Sequence, residues 1–306
     1  MQTNFNPIED TINIRQFITK PKKLDQLIKI IAHRSNNQRQ EILKEYLNKY
    51  QTDLLEDFKK ELSGNFLETV ISLFYTPVDF DCYQLNKAMK GLGTNEDTLI
   101  EILASRDNER IIEIKKRYIE IYKKTLNKDI QSETSGPLRK LFLKLLEAKR
   151  RNNFPIEQEC NENAQRLYDV TSNKKECMQD TFIYIFTDKS REELAQIAKI
   201  YYKWYSKTLF ELVESFFSGD FKRALKAIIY SLISPSEYFA YRINKAMKGL
   251  GTKDTILIRV IVSRDEIDMY RIKRYYKQLY NIEMYEKIKD DTSGDYRNLL
   301  LELIGE

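Results

Sequence analysis

The chain has little of what most enzymatic and metal chemistry depends on. His33 is its only histidine, so a histidine-based triad or a multi-histidine zinc site is out of reach. Cys82, Cys160 and Cys177 are odd in number, far apart and without the paired spacing of a zinc site, and read as reduced cytoplasmic thiols. No P-loop or dinucleotide fingerprint occurs. No apolar run approaches the ~20 residues of a membrane span. The first ten residues are polar and lack the basic-then-apolar layout of a signal peptide. Charge of one sign is also missing in bulk: 51 Lys and Arg against 46 Asp and Glu leave +5, spread along the chain. Clusters such as Lys20–Lys23, Lys115–Arg117 and Lys149–Arg151 read as solvated helix faces, and no nucleic-acid partner is expected.

Only six prolines and nine glycines interrupt 306 residues, and no stretch alternates as a strand would. After Gly136, Leu138, Leu141, Phe142, Leu145 and Leu146 form the stripe of a one-sided helix. The same stripe returns as Phe66, Thr69, Val70, Leu73 and Phe74, as Phe221, Ala224, Leu225, Ile228 and Ile229, and as Tyr296, Leu299, Leu300, Leu303 and Ile304. The 20 Tyr and 15 Phe fall mostly on such stripes, which assigns them to the core. The fold class is all-α, with about five short helices in each of four repeats.

The repeats are identical in places. KAMKGLGT occurs at Lys87–Thr94 and again at Lys245–Thr252. Gly93 precedes Glu133 by 40 positions, and Gly251 precedes Asp291 by the same 40. The chain divides into a head at 1–10 and repeats at 11–77, 83–149, 163–236 and 242–306. Stacked repeats of this kind bury together what one alone cannot. The segment Ala148–Glu162 breaks the helical pattern and is read as a linker between halves of two repeats each. Asp81, Gln84, Arg106 and Arg264 are read as organising the interface between those halves, and His33 as capping or packing beside Arg34. Thr94, with Asp97 three residues on, reads as the N-cap of the following helix. A Gly-x-Gly turn can aim several carbonyls at one point, and a distant carboxylate would complete the oxygen cage that calcium prefers.

The runs MKGLGTNEDTLIEILASRD and MKGLGTKDTILIRVIVSRDEID, with their later ETSG and DTSGDY, resemble annexin repeats over nearly all of the chain after about residue 12. The resemblance implies a slightly curved disc of four five-helix repeats, with repeats 1 and 4 packed close together, and no enzymatic activity. It implies calcium-dependent, reversible binding to anionic phospholipid, with calcium held between the first two helices of a repeat. Carried over residue by residue, the carbonyls of Met89, Gly91 and Gly93 would join Glu133, and those of Met247, Gly249 and Gly251 would join Asp291. Thr94 and Thr252 would cap and hold the loops. Lys90 and Lys248 would add attraction to lipid headgroups.

In repeat 1, Thr19 and Pro21 replace the glycines although Glu61 keeps the acid position; in repeat 3, Glu176 and Phe216 replace glycine and acid. Neither should bind calcium in this manner. Such degenerate repeats also resemble the alpha-giardins of protists. The short head leaves little room for a partner-binding helix. The expected protein is a monomer in the cytoplasm that reaches the inner face of the plasma membrane when calcium rises, self-associating there. The alternative is a scaffold attached to cytoskeleton or sulfated polysaccharide and modulated by calcium.

Overall fold

The computed structural model describes residues 5–19, 22–173, 177–249 and 251–305. Lys20, Pro21, Glu176 and Leu250 lie outside them. Among the described residues there are twenty helices and no strand, five helices to each repeat. Repeat 1 holds α1 (Pro7–Ile18), α2 (Leu24–Ala32), α3 (Asn36–Tyr50), α4 (Leu54–Glu61) and α5 (Gly64–Phe74). Repeat 2 holds α6 (Pro77–Met89), α7 (Glu96–Ser105), α8 (Asn108–Tyr122), α9 (Leu126–Glu133) and α10 (Gly136–Leu145). Repeat 3 holds α11 (Glu157–Ser172), α12 (Met178–Asp188), α13 (Arg191–Tyr205), α14 (Leu209–Phe216) and α15 (Gly219–Ile233). Repeat 4 holds α16 (Pro235–Ala246), α17 (Asp254–Arg264), α18 (Met269–Tyr280), α19 (Met284–Asp291) and α20 (Gly294–Ile304). None of these helices is long and apolar enough to cross a membrane.

Local chemistry sets where the helices start and stop. Ser35 with Gln38, and Ser190 with Glu193, close capping boxes at the starts of α3 and α13, while the Asp107 side chain accepts from Arg110 N at the start of α8. All four third helices end on a left-handed residue, Gln51, Lys123, Ser206 and Asn281. Each third helix also buries one tyrosine completely: Tyr46, Tyr118, Tyr201 and Tyr276. A buried phenol needs a polar partner. Tyr46 donates to Asp57 (2.9 Å), Tyr118 to Asp129 (2.5 Å) and Tyr276 to Asn244 (3.2 Å). Burial carries the Tyr46 phenol up to about 12.

The pairing of repeats is the one the resemblance implied, with repeat 1 beside repeat 4, and not the halves read from the linker. Repeats 1 and 4 form one compact unit, residues 1–80 with 239–306, and repeats 2 and 3 form the other, residues 81–238. Within each unit the fifth helix of one repeat packs on the second helix of its companion. In the first unit α5 meets α17 and α20 meets α2; in the second, α15 meets α7 and α10 meets α12. This exchange is why the stripe at the end of each repeat is apolar. Phe74, Phe142, Ile228 and Leu300 are almost wholly buried by it, each stabilising the fold by roughly 1.5–3 kcal/mol.

The expected linker is therefore no divider. Of the expected linker Ala148–Glu162, residues 148–156 are non-helical as their composition suggested, but Glu157–Glu162 belong to α11 and the non-helical part binds onto repeat 3. The Arg150 guanidinium donates to Lys189 O (2.7 Å) and Phe186 O (2.6 Å), and Arg151 N donates to Asp188 O (2.8 Å). Arg150 and Arg151 are thus structural ties and not a solvated helix face. Arg106 grips Asp81 through two hydrogen bonds inside the second unit (3.0 and 2.8 Å). Arg34 does the same with Asp10 inside the first. In repeat 4 the residue aligned with Asp81 is Phe239, and Arg264 stacks 4.5 Å from its ring while donating to Asp268. His33 ends α2 and meets Glu302 of α20 at 3.0 Å.

Candidate metal centre

The glycines of the two KAMKGLGT segments adopt matching backbone angles. Gly91 and Gly249 have φ of +107° and +108°, and Gly93 and Gly251 have +85° and +78°. L-residues avoid these values, and no atom outside the immediate chain lies within 4 Å of where a Cβ would stand. The glycines are therefore required by conformation and not by crowding. A hydrogen bond of 2.8 Å closes each loop, from Asn95 N to Ala88 O and from Lys253 N to Ala246 O. Met89 and Met247 are buried and anchor the loop at its start, whereas Gly91, Gly93, Gly249 and Gly251 are exposed.

The acid positions sit at the C-termini of α9 and α19, 40 residues on, and threonine hydroxyls bring loop and acid together. Thr94 Oγ1 donates to Glu133 O (3.1 Å) and meets Glu133 Oε2 (3.3 Å). Thr252 Oγ1 donates to Asp291 O (2.9 Å). This corrects the expected capping role. Asn95 is the N-cap of α7, accepting from Thr98 N, and Lys253 is that of α17 with no side-chain bond. The threonine spacing is right for a cap only if the helix starts one residue earlier than it does.

The two acids differ in their surroundings. Beyond Thr94, Glu133 meets Ser132 Oγ at 3.4 Å. Asp291 Oδ1 is bound by Lys287 Nζ at 2.7 Å, one turn back on α19. In repeat 1 the residue aligned with Thr94 is Lys22, whose ammonium donates to Glu61 O and lies 3.3 Å from Glu61 Oε2. In repeat 3 the acid position carries the half-buried Phe216, and its Glu176 lies outside the described residues.

Lys90 and Lys248 are exposed beside the glycines. So is Leu92, a fully exposed leucine that sequence reasoning passed over. The signal was present: a side chain between two left-handed glycines at a loop tip has nowhere inward to go. Among the described residues no three His, Cys, Asp or Glu side chains converge as a metal site. Any cation here must take most of its ligands from backbone oxygens, with one carboxylate. A hard, oxygen-seeking ion that accepts carbonyls and water fits that donor set, and calcium is such an ion.

Comparison with known proteins agrees with the geometry. The annexin family model matches residues 18–73, 80–145, 162–228 and 238–303. Annexin A11 of Oryctolagus cuniculus is 37% identical over 305 residues, covering 99% of this chain and 61% of that protein. The chain thus spans about three fifths of the length of that relative. Among solved structures, annexin III aligns with a TM-score of 0.96 at 37% identity, covering 99% of this chain and 95% of the other. Calcium-bound annexin (Sm)1 aligns with a TM-score of 0.88 at 30% identity, covering 100% and 92%. Calcium-bound alpha-14 giardin, at 24% identity and a TM-score of 0.86 over 98% of each chain, shares the fold. With four matched repeats, twenty helices and paired glycine loops joined to distant acids, the chain belongs to the annexin family.

Proposed function

We propose that this protein binds anionic phospholipid surfaces reversibly and only with calcium, through repeats 2 and 4. The ligands are the carbonyls of Met89, Gly91 and Gly93 with the Glu133 carboxylate, and those of Met247, Gly249 and Gly251 with the Asp291 carboxylate. The observation that carries this reading is that two distant loops share the same left-handed glycines and are both tied to an acid position by a threonine. That a structural relative is described as calcium-bound supports the choice of ion.

Charge gives the membrane requirement. One carboxylate against a divalent ion leaves each site near +1 with open coordination positions, so affinity in water is weak. Bound calcium supplies a charge that a lipid phosphate or carboxylate can satisfy, and each ligand then tightens the other by linkage. Lys90 and Lys248 add attraction to the headgroups, and Leu92 can bury its side chain among them. A net charge of +5 spread over the chain does not hold a membrane unaided at physiological salt. The resulting location is cytoplasmic and peripheral, on the inner face of the plasma membrane while calcium is high.

The scaffold reading has weaker support. The cavity between α18 and α19 gathers Lys273, Arg274 and Lys277. Lys273 donates to Ile304 O and Gly305 O, however, and Lys277 pairs with Glu283, which leaves little uncommitted charge for a polyanion. Sedimentation with phosphatidylserine vesicles decides between the readings. Binding with calcium and release by chelator is expected; equal sedimentation with chelator present would overturn the bridging reading and promote the scaffold.

A further inference from the structure

The glycine loops of repeats 2 and 4 share their glycine angles, but the side chains that rest on their acids differ. We propose that lysine side chains compete with calcium at the acid positions, so that repeat 2 fills at lower calcium than repeat 4 and repeat 1 is closed. This rests on the calcium-binding reading above and sets the order in which its sites fill.

Three acid positions form a graded series. Among the described residues, Glu133 meets hydroxyls, from Thr94 and Ser132. Asp291 holds an ammonium at 2.7 Å on Oδ1, and this oxygen must give up Lys287 before it can face a divalent ion with its full charge. Lys287 is a helix neighbour four residues back, 31% exposed at the side chain, so it can swing into water. Glu61 holds Lys22, which contacts both the backbone carbonyl and the carboxylate from the place that Thr94 occupies in repeat 2. There the lysine stands where loop and acid should meet, and no glycine cage adjoins it. The residue aligned with Lys287 is Asp57 in repeat 1, Asp129 in repeat 2 and Leu212 in repeat 3, so among the four repeats the ammonium at this place is peculiar to repeat 4.

The size of the effect follows from the type of pair. Exposed ion pairs contribute about 0.2–1 kcal/mol, which corresponds to a change of up to about fivefold in the calcium needed. Lys287 acts through Asp291 and is a positioning residue for the site.

The test isolates repeat 4 with Glu133→Gln and measures the calcium midpoint for sedimentation with phosphatidylserine vesicles. Adding Lys287→Gln should lower that midpoint by about two- to fivefold. Lys289→Gln removes the same charge from the same helix two residues on, where the lysine faces Glu286 at 3.7 Å and not Asp291; its midpoint should stay unchanged. If Glu133→Gln is silent and the added Lys287→Gln restores binding, the competition is also upheld. An unchanged midpoint with Lys287→Gln, an equal shift with Lys289→Gln, or silence in both variants overturns it. Wild-type protein run alongside separates the two readings. Calcium-dependent binding there, with no Lys287 effect, leaves the proposed function standing without the filling order.

Discussion

Repeats 1 and 2 place a side-chain donor against the same two acceptors, the backbone carbonyl and the carboxylate at the acid position. In repeat 2 the donor is the Thr94 hydroxyl and in repeat 1 it is the Lys22 ammonium. A hydroxyl holds the loop against the acid and leaves the acid's charge available. An ammonium holds the loop and cancels the charge. An acid 40 residues beyond a loop therefore does not by itself make a cation site; what already rests on that acid decides. Each compact unit contains one glycine loop and one degenerate loop, but only in repeat 1 does the degenerate loop keep its acid, since repeat 3 carries Phe216 there.

The largest change should come from removing both acids. Glu133→Gln with Asp291→Asn keeps shape but deletes the only formal negative charge from each proposed cage. The calcium needed for vesicle sedimentation should rise by more than about 100-fold, with the helical circular dichroism spectrum intact. Retained binding at the wild-type calcium level would remove repeats 2 and 4 from the mechanism.

A second contrast lies between the ties that join repeats within each unit. In the second unit they include neutral bonds such as Ser231 Oγ to Ala104 O (2.7 Å). In the first, buried Arg39 reaches from repeat 1 to Asp265 (3.8 Å) and Glu266 (3.4 Å) of repeat 4. Burial pushes the Asp265 carboxyl up to about 6, against the pull of Arg39. Since the native state holds this proton more tightly than the unfolded chain, the stabilisation is complete below about pH 4 and is lost as pH rises through 6. Between pH 4 and 7 the wild type should lose about 2–3 kcal/mol relative to Asp265→Asn in urea unfolding. A constant difference across that range would show that the carboxyl titrates normally.

The comparison of repeats 1 and 2 can be broken directly. Thr94→Lys installs the repeat 1 donor in repeat 2, and with repeat 4 silenced by Asp291→Asn it should raise the calcium midpoint about two- to fivefold. If binding survives unchanged, the ammonium at Glu61 is not what closes repeat 1. The smallest effect is expected for Glu61→Gln, whose carboxylate already belongs to Lys22. The midpoint should move less than about twofold and stability by no more than about 1 kcal/mol. A loss as large as that of Glu133→Gln would mean that repeat 1 carries a working site.

Much of this was legible in the sequence because it rests on local rules. The stripe after Gly136 marks a helix with one buried face wherever it occurs, and Gly91 and Gly93 mark a backbone that other residues resist. The spacing to Glu133 and Asp291 survives because the intervening helices keep their lengths. What was misread lay one residue or one repeat away. Thr94 has the composition of a cap, but the helix starts after Asn95, which frees the hydroxyl for Glu133. Ala148–Glu162 has the composition of a linker, yet the carbonyls at the end of α12 need donors and Arg150 supplies them, and α11 begins at Glu157. Leu92 looked like any leucine of an amphipathic pattern until its neighbours' dihedral angles turned it outward.

By itself the sequence determined the helices, the fourfold repetition, the two glycine loops and the acids that answer them. Each depends on residues a few positions apart or on a spacing kept by rigid helices. The residue pattern did not say that repeat 1 packs with repeat 4 and repeat 2 with repeat 3, although the family resemblance implied the first pairing, because an apolar stripe specifies that a face be buried but not by which neighbour. The tertiary structure decided this, and also which side chain rests on each acid. Charge at a site is set by what lies within a few ångströms in space, and Lys22 reaches Glu61 across 39 residues of chain.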